Sequence, residues 1–436
     1  MPSSYARSAL FPGVLSAIMT VTRGMGIHDP GVEMLLVRLV QAAYSLLVVY
    51  FVYRLLERPL GRESAMLGGL LAAAFFAMPV TAVHQLEESV CQVPLLAACW
   101  WWQRSESAIG YRLSAIWSAL AGVALGTALI LRFPLIGFVV AFVIMVLLRR
   151  PPITWQNKLA FLGGVALIVI LQGYSNAVIN HQWGYSFIQR LGPMLHPQRM
   201  AIEADGYPSS PPWHYALTLL GAFIPPVSIL LLAAAVKGGR QFPLLGIATL
   251  VFLVSHSLIA NKQERFLLPI VPGLFILIVA GLPWLAARIA RPAMYRGVWW
   301  YFWIVNAVLL VVVTFSFAKK DRVAPLLYVY RRHDATGVVI AQYDQSFHVP
   351  EYYLGKPMPR LVLLGRRDET NSVAGPFNYV ILYSDNPEAD RPLLAAVLKK
   401  DLRLLTLITP SLADRLAHAI NPRHNKARTA LVYTTS

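Results

Sequence analysis

The chain has 436 residues, of which 57% are hydrophobic and only 14% are charged, and its mean hydropathy is +0.55. This composition excludes a water-soluble globular protein and predicts a polytopic membrane protein. The formal net charge of +17 does not indicate nucleic-acid binding, because the sequence contains no aromatic-interleaved basic stripe, Gly-rich phosphate loop or zinc-ligand spacing.

The chain begins with a short apolar run, LFPGVLSAIMTV, that follows Arg7. No small-residue cleavage pattern ends this run, so we expect an interfacial helix or the remnant of a longer chain rather than a signal peptide. Apolar windows of about 18 to 22 residues, long enough to cross a bilayer core, then recur along the sequence. The predicted spans are 34–53, 65–83, 89–102, 114–131, 135–148, 159–178, 216–236, 242–260, 266–287 and 299–317.

Lys and Arg collect in alternate loops between these spans, and the positive-inside rule places such loops in the cytoplasm. The residues concerned are Arg54, Arg58, Arg62, Arg104, Arg112, Arg149, Arg150, Lys158, Lys237, Arg240, Arg288, Arg291 and Arg296. The opposite, outer face then receives His84 to Glu88, Arg132, the segment 179–215, the stretch NKQER at 261–265 and everything after Phe317. No Asn-x-Ser/Thr sequon occurs, which favours a bacterial inner membrane over a lumenal setting.

Composition changes at Ala318 from continuous apolar runs to an ordinary mixture. TGVVIAQYD, PRLVLLG, FNYVILYSD and LRLLTLITP predict buried strands, and 387–400 and 411–420 predict helices. We therefore expect a transmembrane domain over 1–317 and a small α/β domain over 318–436 on the outer face. The fold class is an all-α polytopic protein of about ten spans with this domain attached. Cys91 and Cys99 are interpreted as packing residues.

Polar side chains interrupt the apolar sequence at 261–265, where the inside bias would not place Lys262 and Arg265. One interpretation is a helix hairpin whose basic side chains extend to lipid phosphates while Glu264 neutralises them. The other is a binding site for a phosphate group, since Arg is a planar bidentate donor and Lys a compact point charge.

Three further features lie on the same predicted face. Trp213, His214 and Tyr215 follow two prolines at the entry to a span, and they form either an interfacial aromatic belt or a platform for sugar rings. Glu87 and Glu88 abut another span and are either solvated or in contact with sugar hydroxyls. Arg132, between two apolar runs, either extends to the headgroups or joins Lys262 and Arg265 as a phosphate ligand.

In order, RSALFPGVLSA at 7–17, LVRLVQAAYS at 36–45, Glu87, Arg132, YPSSPPWHYALTLLGAFIPP and NKQERFLLPIVP resemble the Alg9-type mannosyltransferase family. This resemblance covers residues 5–290 and implies the GT-C fold. In the later block Lys262, Arg265, Phe266, Pro269 and Pro272 agree with the family, whereas Asn261 and Gln263 replace its His and Glu. In the earlier block Tyr215 replaces a Trp.

The resemblance implies an inverting transfer of a sugar, mannose by analogy, from a polyprenyl-phosphate donor to a glycan or glycolipid acceptor within membrane lipid. No cofactor, metal site or nucleic-acid partner is expected. The family's acidic loop has no counterpart near residue 1. We expect a start codon assigned too far downstream, with a truncated gene or a degenerate family member as the alternatives. Glu87 and Glu88 are the available candidates for the catalytic carboxylate. A catalytically impaired scaffold and a polytopic transporter are the alternatives.

Overall fold

The computed structural model of the protein describes residues 8–149, 153–180, 210–259, 262–289, 291–342, 349–355, 361–364, 376–384, 387–420, 422 and 425–435. The chain divides into two compact units. The first consists of Met1–Ile18 and Arg38–Val311, and the second of Met19–Val37 and Val312–Ser436. The second unit thus includes a segment, Met19–Val37, that the sequence analysis assigned to the transmembrane domain.

Helices, most of them apolar, account for most of the described chain before residue 315. They are α1 Leu10–Gly24, α2 Pro30–Ala74, α3 Ala77–Ala82, α4 Glu87–Val90, α5 Gln92–Glu106, α6 Tyr111–Leu131, α7 Ile136–Leu148, α8 Trp155–Asn180, α9 His214–Ala222, α10 Val227–Gly238, α11 Pro243–Leu258, α12 Val271–Arg288 and α13 Pro292–Thr314. Two 3-10 segments, Phe133–Leu135 and Glu264–Ile270, precede α7 and α12. Each of the ten predicted spans is helical over most of its length.

Fewer of these helices are long enough to span a membrane alone. Within the described ranges, five pass on length and hydropathy: Pro30–Ala74, Arg112–Leu131, Trp155–Ile179, Glu264–Arg288 and Pro292–Thr314. A sixth is obtained if α9 and α10, bent by 110°, count as one broken span. Helix α2 has 45 residues and bends at Gly61 (φ 80°). At about 1.5 Å per residue it is roughly twice the bilayer core in length, which explains why it contains two predicted spans.

The core of the first unit surrounds α12. Every residue from Val271 to Leu282 is buried, as expected of a helix that is apolar on all sides. Helices α10 and α12 approach closely at two glycines: a Cβ on Gly238 would lie 1.9 Å from the carbonyl oxygen of Leu277, and one on Gly281 would lie 1.9 Å from that of Ala234. Small residues of this kind allow helix backbones to touch where no hydrophobic force drives association.

The second unit contains a five-stranded mixed sheet in the order β2-β1-β3-β5-β4. Its elements are α14 Lys320–Tyr330, β1 Val338–Gln342, β2 Leu361–Leu364, β3 Tyr379–Ser384, α15 Pro387–Leu398, β4 Leu402–Ile408, α16 Leu412–Ile420 and β5 Thr429–Thr435. Strand β1 pairs in parallel with β2 and β3, whereas β5 pairs antiparallel with β3 and β4. The four predicted strands and both predicted helices are present, but β5 and α14 were missed. The prediction that the strands are buried is wrong for β4, in which only Leu402 is buried. The fold class predicted from the sequence is confirmed.

Candidate functional site

The segment 81–92 carries two acidic residues into the first unit, and side-chain hydrogen bonds to carbonyls hold it in place. Ser89 Oγ donates to the carbonyl of Thr81 at 2.9 Å, and Gln92 Nε2 donates to that of Leu268 at 2.7 Å. These bonds fix Glu87 and Glu88 at the short helix α4 and connect α5 with the 3-10 segment Glu264–Ile270.

Arg132 lies where the chain leaves helical geometry. Its φ and ψ are −141° and 89°, and Pro134 follows in the 3-10 segment. Pro134 has no N–H to donate to the carbonyl of Ile130, four residues earlier, so the α-helical hydrogen-bond ladder cannot continue through it. The break therefore places Arg132 at the end of α6, outside the regular helix.

The segment Glu264–Ile270 presents the third part of the site. It begins after Gln263, which is extended, and contains Pro269, while Pro272 lies in the first turn of α12. The two prolines keep this stretch out of the α-helical hydrogen-bond ladder. Arg265 and Phe266 therefore lie in a 3-10 segment at the start of the candidate span Glu264–Arg288.

These three elements bring two carboxylates and two guanidinium groups together, and we call Glu87, Glu88, Arg132 and Arg265 the ionic cluster. Arg132 Nη2 lies 3.1 Å from Glu88 Oε1, and Arg132 Nη1 lies 3.8 Å from Glu87 Oε2. Arg265 Nε lies 3.6 Å from the same Glu88 Oε1. The sequence placed these residues in three separate loops of one face, and the structure brings them into contact.

An aromatic ring completes the ionic cluster. The Cζ atoms of Arg132 and Arg265 lie 4.8 and 5.7 Å from the centroid of Phe266, within the range of cation–π attraction. Phe266 thus helps to orient both guanidinium groups. Phe266 was noted in the sequence as a position that agrees with the Alg9-type family, but no role was assigned to its ring.

Burial differs sharply among the charged groups of the cluster. The Glu88 side chain is 4% exposed and that of Arg132 14%, whereas that of Arg265 is 47% exposed. Burial lowers the pKa of Arg132 below its ordinary value, and Glu88 and Glu87 oppose this shift by favouring the charged form. Arg132 and Glu88 therefore form the buried base of the cluster, and Arg265 is the cation that remains accessible to another anion.

Lys262 occupies a different environment from the one predicted. It is 1% exposed, and its Nζ donates to the carbonyls of Ser210 and Ile259 at 2.8 and 2.5 Å. Burial also lowers the pKa of its ammonium group. The interpretation in which Lys262 extends to lipid phosphates is wrong, because its charged end points inward. Its assignment as a donor-phosphate ligand stays a prediction, and would require Nζ to leave these carbonyls.

The predicted aromatic platform is only partly on the surface. Trp213 is 63% exposed and His214 half-buried, but Tyr215 is 1% exposed. Tyr215 is therefore not part of an exposed stacking surface, contrary to expectation, because the first turn of α9 directs it into the core. Glu264 begins the 3-10 segment, half-buried, and its role in substrate binding stays a prediction. Asn261 and residues 181–209 of the outer segment lie outside the described residues.

Sequence reasoning missed His256, which is 3% exposed on α11. Its ring centroid lies 6.5 Å from that of Tyr215. A histidine within a predicted apolar span is itself a signal, because polar side chains at membrane depth are costly and are usually retained for a function. That signal was available in VSHSL at 254–258.

A cavity of about 230 Å³ lies in the same part of the first unit. Most of its lining is apolar and comes from α2 and α3, including Val48, Val49 and Met78, and it extends to Ser89 and Gln92 on either side of Cys91. An apolar space thus reaches the helices that carry the acidic residues. Among the residues that the structure describes, no group of three or more His, Cys, Asp or Glu side chains is arranged to hold a metal ion.

Comparison with known proteins gives a fold and a partial family match. A family described as dolichyl-phosphate-mannose-protein mannosyltransferase matches residues 22–173, about a third of the chain. The comparison with curated protein sequences returned no match.

Two crystal structures of ArnT from Cupriavidus metallidurans are similar to this chain. For ArnT bound to undecaprenyl phosphate, the TM-score is 0.63 at 14% identity over 98% of this chain and 88% of that chain. For apo ArnT the TM-score is 0.59 at 14% identity, over 91% of this chain and 83% of that chain. The chain therefore has the fold of GT-C membrane glycosyltransferases and is a multi-pass membrane protein.

Proposed function

We propose that this protein is a membrane glycosyltransferase that takes its sugar from a polyprenyl-phosphate donor. The observation that carries the proposal is the ionic cluster, in which a half-exposed Arg265 contacts a buried Glu88–Arg132 pair. A planar guanidinium with only one nitrogen near a carboxylate retains donors for a phosphate group. The fold, similar to that of a protein crystallised with undecaprenyl phosphate, supports the same donor class.

The reaction is a single displacement. The acceptor hydroxyl oxygen bonds to the anomeric carbon while the bond from that carbon to the phosphate oxygen breaks. The hydroxyl proton passes to a carboxylate, and polyprenyl phosphate leaves with the bonding electron pair. Arg265 and Arg132 stabilise the negative charge that develops on this leaving group. The configuration of the sugar is inverted.

Glu87 is the better placed of the two candidate bases. Its carboxylate lies 3.8 Å from Arg132, whereas Glu88 is closer to Arg132 and also contacts Arg265. The two contacts hold Glu88 Oε1 between the guanidinium groups of Arg132 and Arg265. We assign proton acceptance to Glu87 and orientation of the two arginines to Glu88.

Mannose is the sugar we propose first. The resemblance to Alg9-type mannosyltransferases and the description of the matching family both name this sugar. The acceptor is a lipid-linked or cell-surface glycan, and the apolar cavity beside α4 accommodates part of a lipid chain. We place the protein in the bacterial inner membrane, with the ionic cluster and the second unit on the extracytoplasmic side.

The test uses purified protein in lipid nanodiscs with undecaprenyl-phosphate-mannose carrying radiolabelled mannose, and a bacterial membrane glycolipid extract as acceptor. Transfer of label to the extract is expected, and the Glu87→Gln variant should lower the rate about 10²- to 10⁴-fold, as loss of a general base does. Binding of undecaprenyl phosphate, measured by native mass spectrometry, should stay within about twofold of the parent. A parent that neither transfers mannose nor binds undecaprenyl phosphate would refute the proposal.

A further inference from the structure

Three polar side chains with unused hydrogen-bonding atoms lie together in the first unit. They are His214 and Tyr215 at the start of α9 and His256 on α11, and we call them the polar triad. Their ring centroids are 5.9 Å apart for His214 and Tyr215 and 6.5 Å apart for Tyr215 and His256. Within the described part of the chain, His214 Nε2 and His256 Nε2 are buried without a hydrogen-bond partner. The Tyr215 hydroxyl is also buried without a well-formed hydrogen bond, and it lies near the backbone N–H of Gln263.

The chemical state of His256 follows from its other nitrogen. Nδ1 lies 3.0 Å from the carbonyl oxygen of Phe252, one turn earlier on α11. A carbonyl only accepts, so Nδ1 carries the hydrogen and the Nε2 of the neutral ring is an acceptor. Phe252 stacks on the imidazole with centroids 3.9 Å apart, which fixes the direction of Nε2. His256 therefore presents one oriented acceptor.

Unsatisfied polar atoms in a protein core are unusual and destabilising, and three in one place indicate a missing partner. The triad offers the acceptor of His256, the donor and acceptor of Tyr215 and one ring nitrogen of His214. A set that mixes donors and acceptors suits hydroxyl groups, each of which both donates and accepts. It does not suit a phosphate, which requires donors and positive charge, and the described residues hold no group of three or more His, Cys, Asp or Glu side chains arranged for a metal ion.

The polar triad adjoins the ionic cluster. Helix α9 packs against α11 and against the segment Glu264–Ile270 that carries Arg265. A hydroxyl-bearing ring attached to a phosphate at Arg265 and Arg132 would therefore meet the triad next.

We propose that the polar triad is the subsite that recognises the hydroxyl groups of the transferred sugar, with Tyr215 and His256 as specificity-determining residues. The inference rests on the proposed function, since it takes the sugar to be held by its phosphate at the ionic cluster. The three atoms are closed to solvent, so the sugar reaches them only when the edge of α9 shifts. Trp213, 63% exposed, and the half-buried His214 form that edge.

The test compares donors that differ by one hydroxyl group. The parent protein in nanodiscs is given undecaprenyl-phosphate-mannose and its 2-, 3-, 4- and 6-deoxy analogues, and kcat/KM is measured for each. The parent should discriminate against at least one deoxy donor by about tenfold or more, because a buried partner is then left unpaired. Tyr215→Phe and His256→Gln should lower kcat/KM for the full donor and abolish discrimination at the hydroxyl that each residue contacts.

Thr249 supplies the matched control. It lies on α11 about two turns before His256, is 3% exposed, and its hydroxyl also has no partner among the described residues. Thr249→Val should leave the ranking of the donors unchanged. Binding of undecaprenyl phosphate alone, which has no sugar, should stay within about twofold in all three variants.

The outcomes separate the two proposals. A parent that neither transfers from any donor nor binds undecaprenyl phosphate refutes the proposed function. If the parent transfers sugar and the Tyr215→Phe and His256→Gln variants keep the parental ranking of the donors, the role of the polar triad is refuted and the proposed function is not. The same holds if these variants lose activity equally with every donor and also unfold at lower temperature, because that pattern shows only a structural role for the triad. Tyr215→Phe retains the shape of the ring, and its thermal unfolding reports whether it folds.

Discussion

Two glutamates in different units of this protein are almost completely buried beside arginine, and their surroundings differ. Glu33, in the second unit, is 1% exposed and accepts hydrogen bonds from Thr22 Oγ1 at 3.2 Å, Arg23 Nε at 3.0 Å, Arg23 Nη2 at 3.2 Å and the Tyr352 hydroxyl at 2.6 Å. Glu88, in the first unit, is 3% exposed and has ion-pair contacts of 3.1 Å with Arg132 and 3.6 Å with Arg265.

The difference separates a structural carboxylate from one that suits a binding site. Both oxygens of Glu33 receive short, directional bonds, so any competing anion would have to replace several of them. Arg265, in contrast, is held by Glu88 at a longer distance and is half-exposed. Exchange of that contact for a phosphate contact costs little. Buried charge alone therefore does not identify a functional site. The number and length of the hydrogen bonds and ion pairs around that charge are more informative.

The largest effect is expected from Arg132→Gln, which would leave Glu88 with only its longer contact to Arg265. Loss of one partner of a buried pair typically destabilises by about 3 to 5 kcal/mol, because the remaining charge is desolvated without compensation. We expect a loss of about 3 kcal/mol in the free energy of unfolding in mixed micelles. The double variant Arg132→Gln/Glu88→Gln should regain most of it. A double variant as unstable as the single one would show that the pair is not the source of the loss.

Arg265→Ala should instead affect binding. Loss of a charge-assisted bond to phosphate corresponds to about 1 to 3 kcal/mol, or roughly 5- to 150-fold in the dissociation constant for undecaprenyl phosphate. The free energy of unfolding should change by less than about 0.5 kcal/mol, since the side chain is half-exposed. Arg296→Ala, an exposed arginine in a predicted cytoplasmic loop, is the control and should change neither quantity. Unchanged binding by Arg265→Ala would remove this residue from the site.

Sequence patterns predicted the helices, the four strands and the residues of the ionic cluster. They did not predict which hydrogen bonds and ion pairs each charged residue makes. Hydropathy and the distribution of Lys and Arg indicate which segments are buried in the membrane and on which side each loop lies. On this basis four residues were placed in loops of one face: Glu87, Glu88, Arg132 and Arg265. These patterns carry no information on distances between side chains, so the burial of the Lys262 ammonium group was missed. Strand β5 was missed although its signal was available. TALVYTT is rich in β-branched residues and follows the turn signal Asn421–Pro422.

Lys262→Met tests whether this residue binds donor phosphate or stabilises the turn. The substitution removes the charge and keeps a long unbranched side chain, so the carbonyls of Ser210 and Ile259 each lose a donor. We expect a loss of about 1 to 2 kcal/mol in the free energy of unfolding, because part of the cost of burying an ammonium group is removed at the same time. Affinity for undecaprenyl phosphate should fall less than about threefold. A fall as large as that of Arg265→Ala would restore Lys262 as a phosphate ligand.

The smallest effect is expected at the satisfied glutamate of the second unit. Tyr352→Phe removes the hydroxyl that donates to Glu33 Oε2 at 2.6 Å and leaves the ring in place. Glu33 keeps Thr22 and Arg23 as donors, so the loss should be that of one hydrogen bond, about 1 kcal/mol in the free energy of unfolding. Undecaprenyl-phosphate binding and mannose transfer should be unchanged, because every group involved belongs to the second unit and none to the ionic cluster.

Tyr330→Phe is the control. It removes a hydroxyl that makes a longer bond of 3.4 Å to the carbonyl of His28, so it should lower the free energy of unfolding by less. A marked fall in transfer with Tyr352→Phe but not with Tyr330→Phe would give the Glu33 cluster a part in the reaction, and satisfaction of a buried carboxylate would then no longer distinguish structural from functional glutamates in this protein.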